Sequence, residues 1–90
     1  MSIDYDPDNR EATLVHRGLD MADAETVFDG PCLTFPDLRQ DYGEKRMITY
    51  GLLKHRMVVI AWTQRGDKKR VISIRKANER EQNRFYNRLD

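Results

Sequence analysis

Two different periodicities divide the chain. Up to Pro31 the apolar residues recur at helical spacing, and from Lys45 to Lys76 they alternate in the manner of strands. Asp6 is placed to cap a first helix with Pro7 at its first position, and Gly18 to end it. Asp20 caps a second helix in which Met21, Ala24, Val27 and Phe28 share a face, Leu19 and Ala24 can form a hydrophobic staple, and Gly30-Pro31 stops the run. A short extended piece, Cys32 to Phe35, leads into a polar loop from Pro36 to Gly43. Three strands follow, Met47 to Leu53, Met57 to Gln64 and Lys69 to Arg75, each rich in β-branched or aromatic residues. Their separators, Lys54-His55-Arg56 and Arg65-Gly66-Asp67-Lys68, have hairpin lengths, which predicts an antiparallel meander with the Cys32 to Phe35 piece as a fourth strand. A last helix begins at Asn78, where Glu81 three residues on fits a capping box, and its apolar stripe is Phe85, Tyr86 and Leu89. The expected fold class is α+β, in the order ααββββα, with a small antiparallel sheet covered by helices on one face.

Size makes this one domain over residues 1–90, too small for two independent cores or for a large enzyme with a buried cofactor cleft. The single Cys32 forms no intramolecular disulfide, and no Cys/His cluster has zinc-finger spacing. The acidic first residues lack the basic and apolar regions of a secretory signal, and no apolar run is long enough to span a membrane. The cytosol is therefore the expected compartment, with no membrane partner and no cofactor.

Charge changes the picture more than composition does. The formal net charge is +1, but residues 1–44 carry 3 Lys/Arg against 11 Asp/Glu, a net of −8, and residues 45–90 carry 13 against 4, a net of +9. Such asymmetry signals either contact with nucleic acid by the basic half or pairing between the halves. In the last strand Ile72 and Ile74 share one parity, so if they face the helices then Ser73 and Arg75 point from the opposite face. Arg46, Arg65, Arg75 and Lys76 come from three places in sequence that a meander can bring together, with Lys45 and Arg70 beside them. Exposed cations on strands also serve simply to blunt edges and solubilise a face. Tyr50, Trp62 and Tyr86 interleave with them and offer stacking faces to unpaired bases of single-stranded RNA. Trp62, among Val58 and Ile60 on one strand parity, suits a core position as well.

Cleavage of RNA by its own 2′-hydroxyl requires a proton acceptor, a source of a proton for the leaving oxygen, and cations around the phosphorane charge. Arginine supplies only the last, because its guanidinium stays protonated. Candidate proton carriers are Glu44, Lys76, His55 and His16. Glu44 lies two residues before Arg46, which in an extended segment puts both on one face, as base and cation or as a plain ion pair. His55 falls in a hairpin tip, and His16 near the end of the first helix suits a dipole-compensating role. Asp37, Asp41 and Glu44 resemble an acidic loop more than a metal-ligand motif, so no metal is expected.

Several runs together resemble one family. These are Glu25-Thr26-Val27-Phe28-Asp29-Gly30-Pro31, Tyr42-Gly43-Glu44-Lys45-Arg46 before a strand with Gly51, and Arg70-Val71-Ile72-Ser73-Ile74-Arg75-Lys76-Ala77 followed by Glu81 and Tyr86. In order and spacing, from Asp6 to Tyr86, they are similar to the BrnT toxins of bacterial type II toxin–antitoxin systems. The resemblance implies a RelE-like ribonuclease fold and an RNA-cleaving toxin that arrests translation. It also implies a BrnA-like ribbon-helix-helix antitoxin, a complex of two toxins and two antitoxins, and contact with operator DNA only through the antitoxin. Carried over by position, the matching residues are Glu44 and Arg46 in the Gly-Glu-x-Arg element, Arg65 after the third strand, and Arg75 in the Ile-Ser-x-Arg element. Two departures stand out: Arg17 is added in Val15-His16-Arg17-Gly18, and Ile74 takes the place of a small residue before Arg75. A non-catalytic module binding RNA or antitoxin, and a passive subunit whose halves complement each other, remain as alternative readings of the same charges.

Overall fold

The computed structural model describes residues 2–39 and 43–89. Asp41, Tyr42 and the side chain of Leu89 lie outside the described residues. The chain runs β1 (Ile3–Tyr5), α1 (Pro7–Arg17), a 3₁₀ turn (Met21–Asp23), α2 (Ala24–Asp29), β2 (Cys32–Pro36), β3 (Arg46–Leu53), β4 (Arg56–Arg65), β5 (Lys68–Lys76) and α3 (Glu79–Leu89). The sheet order is β1-β5-β4-β3-β2, antiparallel except where β1 runs parallel to β5. The α+β class and the four-stranded meander agree with expectation. The sheet nevertheless has five strands and is mixed, because the three residues of β1 pair with Lys69, Arg70 and Val71 far along the chain.

Local chemistry sets the element ends. Asp6 accepts a hydrogen bond from the Asp8 N–H ahead of Pro7, and Gly18 closes α1 in the left-handed region at φ 69°. Asp20 caps the 3₁₀ turn through the Ala22 N–H, so the second helix begins as 3₁₀ and becomes α only at Ala24. Asn78 and Glu81 form a complete capping box, each side chain accepting from the other's backbone N–H at 2.9 Å. The β3–β4 hairpin turns through Lys54 and His55, both at positive φ as a type I′ turn requires, which places His55 in the turn. The β4–β5 hairpin turns at Gly66, φ 60°.

The sheet is packed on both faces, which corrects the expectation of one covered face. On the first, Leu19, Met21, Ala24 and Val27 bury Val58, Ile60, Trp62, Val71 and Ile74. Against the second, Phe85 of α3 is fully buried among Ile48, Tyr50, Met57 and Val59. A short helix with one fully buried aromatic covers only part of that face and leaves the rest open.

A β-bulge corrects the parity expected for β5. Ala61 pairs with Ser73 but Trp62 with Val71, so Ile72 is extra. Val71 and Ile74, not Ile72 and Ile74, therefore share the core face. Ile72 is half-buried and its carbonyl accepts from the Asn9 amide at 2.8 Å, a polar tie holding α1 to β5; another runs from Arg17 to the Ile74 carbonyl at 3.0 Å.

Candidate active site

The bulge decides which cations share the open face. Without it Arg70 would point into the opposite layer from Ser73 and Arg75; with it all three align. Register then builds a ladder of three rows across β3, β4 and β5. The upper row is Arg46, Thr63 and Arg70; the middle row is Ile48, Ala61 and Ser73; the lower row is Tyr50, Val59 and Arg75. Successive rows stand about 7 Å apart, two residues along a strand. Arg65 and Lys68 continue the same parity beyond the upper row.

Each of these arginines meets a carboxylate. Glu44 lies between two of them, its Oε1 3.5 Å from Arg46 Nε and its Oε2 3.8 Å from Arg65 Nη2. Both distances exceed hydrogen-bond lengths, so the carboxylate bridges the guanidiniums without locking to either. Arg70 donates to Asp4 at 2.9 Å and holds that carboxyl below its ordinary pKa. Arg75 makes a bidentate pair with Glu81 at 2.8 and 2.7 Å. That pairing lowers the pKa of Glu81, helped by the Asn78 N–H and the Tyr50 hydroxyl, and raises that of Arg75. At the margin Arg39 is bidentate to Asp37, whose carboxylate is almost fully buried.

The structure thus brings Glu44, Arg46 and Arg65 together, with Arg70 in the same row as Arg46 and Arg75 two rows away. Lys76 alternates with Arg75 and points to the other face; it lines a separate concavity with His55, Arg56, Gln82 and Tyr86. Tyr86 is half exposed there and stacks edge-on against Phe85. Trp62 is not available for stacking on a base. It is buried in the first core, its indole N–H donates to Thr49 Oγ1 at 2.8 Å, and Phe28 and the Lys69 ammonium cover its ring. Tyr50 is likewise buried, edge-on to Phe35. Lys45 is exposed at the entry to β3, its carbonyl accepting from Thr63 Oγ1. His16 is exposed in the last turn of α1, away from the second core.

Sequence reasoning missed Asp4, Asp37 and Arg39 as partners on this face. The capping-box spacing marked Glu81, but nothing in that spacing tied it to Arg75. The assembled face can hold a polyanion through its guanidiniums and can accept a proton at Glu44. Among the described residues no group of three or more His, Cys, Asp or Glu is arranged to hold a metal ion, and no helix is long and apolar enough to cross a membrane.

No match is found among curated proteins. Residues 5–81, which include α1, the bulged strand β5, Glu44 and all four arginines of the ladder, match the family model of the ribonuclease toxin BrnT of type II toxin–antitoxin systems, and the chain belongs to that family, whose type implies an antitoxin partner.

Proposed function

We propose that the protein is a metal-independent endoribonuclease that cleaves RNA by transesterification and so inhibits translation. The observation that carries this reading is the carboxylate of Glu44 standing between Arg46 and Arg65 on an open sheet face. An RNA phosphate bound by Arg46 and Arg65 brings its neighbouring 2′-hydroxyl to Glu44. The carboxylate takes the hydroxyl proton, the 2′ oxygen forms its bond to phosphorus, and the bond from phosphorus to the 5′ oxygen breaks. The products are a 2′,3′-cyclic phosphate and a 5′-hydroxyl, the latter protonated from solvent on this open surface. The two guanidiniums steady the extra charge of the pentavalent state, where preorganised donors act most strongly. Arg75, two rows or about 14 Å along the ladder, extends the cationic face beyond the reacting phosphate, and Arg70 and Lys45 flank the strand. Geometry favours Glu44 over Lys76 as the proton carrier, since Lys76 alternates to the other face.

A BrnA-like ribbon-helix-helix antitoxin neutralises the toxin by covering this face, in a complex of two toxins and two antitoxins in the cytoplasm, with operator DNA bound through the antitoxin alone. Purified toxin incubated with RNA in EDTA, with and without ribosomes, tests the activity. Cleavage with cyclic phosphate ends is expected, and RNA left intact under both conditions overturns the proposal.

One observation favours a second reading, a binding module without chemistry: each arginine of the ladder already has a carboxylate partner. About four phosphate contacts to a single strand then give a log-log salt slope of roughly −3 with no cleavage.

A further inference from the structure

Below the upper arginine row the open face deepens into a cleft of about 260 Å³. Its floor is the middle row of the ladder, Ile48, Ala61 and Ser73, with only the Ser73 hydroxyl polar among the three side chains. Its rim carries two guanidinium–carboxylate pairs, Arg39 with Asp37 and Arg75 with Glu81, and the exposed Arg84 of α3. The size and the apolar floor suit one planar ring system, and the polar groups stand around its edge. The cleft also begins one ladder step, about 7 Å, from the row of Arg46. A nucleotide whose phosphate rests at Arg46 and Arg65 reaches into it with its own base.

We infer that this cleft is a base-recognition subsite for an unpaired guanine; the inference rests on the ribonuclease reading of the same face and names its specificity. The chemistry of the rim selects among the bases. Guanidinium groups only donate, and two adjacent acceptors, O6 and N7, line one edge of guanine, the arrangement arginine reads best. Of the two rim carboxylates Glu81 is the more accessible, Asp37 being almost fully buried against Arg39; a carboxylate only accepts, and guanine alone presents N1–H and N2–H₂ together on the neighbouring edge. Adenine places a donor beside N7, and the pyrimidines have one ring to fill the floor. Guanine is the base that meets cations and carboxylates on separate edges at once.

The test is titration of the isotope-labelled full chain with 3′-GMP, 3′-AMP, 3′-CMP and 3′-UMP, read by amide chemical shifts. The expected result is 3′-GMP binding about tenfold or more tightly than the others, toward the low end of what a bidentate base contact provides. Its shifts should centre on Ile48, Ala61 and Ser73. Ser73→Leu, which fills the floor, should abolish the preference, and Arg84→Ala, a change at an exposed helix position, should weaken it without touching the core. Equal binding of the four nucleotides, or a guanine preference that survives both substitutions, overturns the inference. RNA cut without base preference, together with equal nucleotide binding, removes the guanine subsite and leaves the ribonuclease reading standing. Guanine-selective binding by a protein that leaves RNA intact does the reverse.

Discussion

Replacing Glu81 with Gln tests how α3 is fastened over the lower ladder row. The substitution keeps the side-chain volume and one acceptor for the Asn78 N–H, but it removes the charge that holds Arg75 in a bidentate pair at 2.8 and 2.7 Å. Hydrogen bonds to charged groups contribute about 1.5–3 kcal/mol when buried, and exposed ion pairs about 0–1 kcal/mol. Here one end is more enclosed than the other, the side chains being 14% exposed for Glu81 and 41% for Arg75. The guanidinium is therefore partly screened, and a loss of about 1–2 kcal/mol follows. For a chain of this size that lowers the melting temperature by roughly 5–15 °C. The pH dependence has a definite sign. Chiefly through Arg75, the folded state holds Glu81 below its ordinary value of 4.5, so the pair's contribution is complete above that pH and is lost as acid protonates the carboxylate. Urea unfolding at pH 7 and again well below pH 4.5 should show a gap between wild type and variant that closes in acid. Equal stability at pH 7, or a gap independent of pH, refutes the reasoning.

The remaining predictions concern the first core and the cap beside it. Trp62→Phe should cost about 1 kcal/mol in equilibrium unfolding, because it deletes the indole hydrogen bond to Thr49, and should leave RNA binding unchanged; a large loss of RNA affinity at undiminished stability would restore a stacking role. Gly51→Ala should destabilise by about 1–3 kcal/mol, since a Cβ there meets Val27 Cγ1 at 2.5 Å and Cys32 Cβ at 3.3 Å, and Val27→Ala in the same chain should relieve part of that cost. The Asp20 carboxyl is lowered from 3.8 to about 2 by Arg10 and then by the Ala22 N–H, so Asp20→Asn should weaken the fold at pH 7 by a margin that disappears between those two pH values. Thermal melts across that range measure it.

The elements legible in the sequence are those set by neighbours along the chain. Asp6 with Pro7, Gly18, Asp20, and Asn78 with Glu81 cap as their spacing predicts, and the three long strands extend the predicted ones by at most one residue at either end. What escaped depends on distant partners. Ile3–Tyr5 is too short to show alternation and becomes a strand only by pairing with Lys69–Val71. The bulge at Ile72 leaves no mark in a run of β-branched residues, yet it reverses the parity of everything before it in β5. That reversal carries Val71 inward and Arg70 onto the open face. The site was legible in the same measure. Glu44 and Arg46, two residues apart, do come together, although Glu44 sits in the bend that precedes β3 rather than in an extended segment, and Arg65 joins them through the antiparallel register of β3 and β4. Lys76 was misplaced by adjacency to Arg75, because neighbours on a strand point to opposite faces.

General-base catalysis by Glu44 is tested by the single-turnover cleavage rate of Glu44→Gln measured beside wild type in EDTA. The substitution preserves size and polarity while removing the group that accepts the 2′ proton. A general base of this kind contributes roughly 10²- to 10⁴-fold. The variant should therefore cleave slower by about that factor while binding RNA with undiminished affinity, and a variant that cleaves at the wild-type rate shows that Glu44 is not the base.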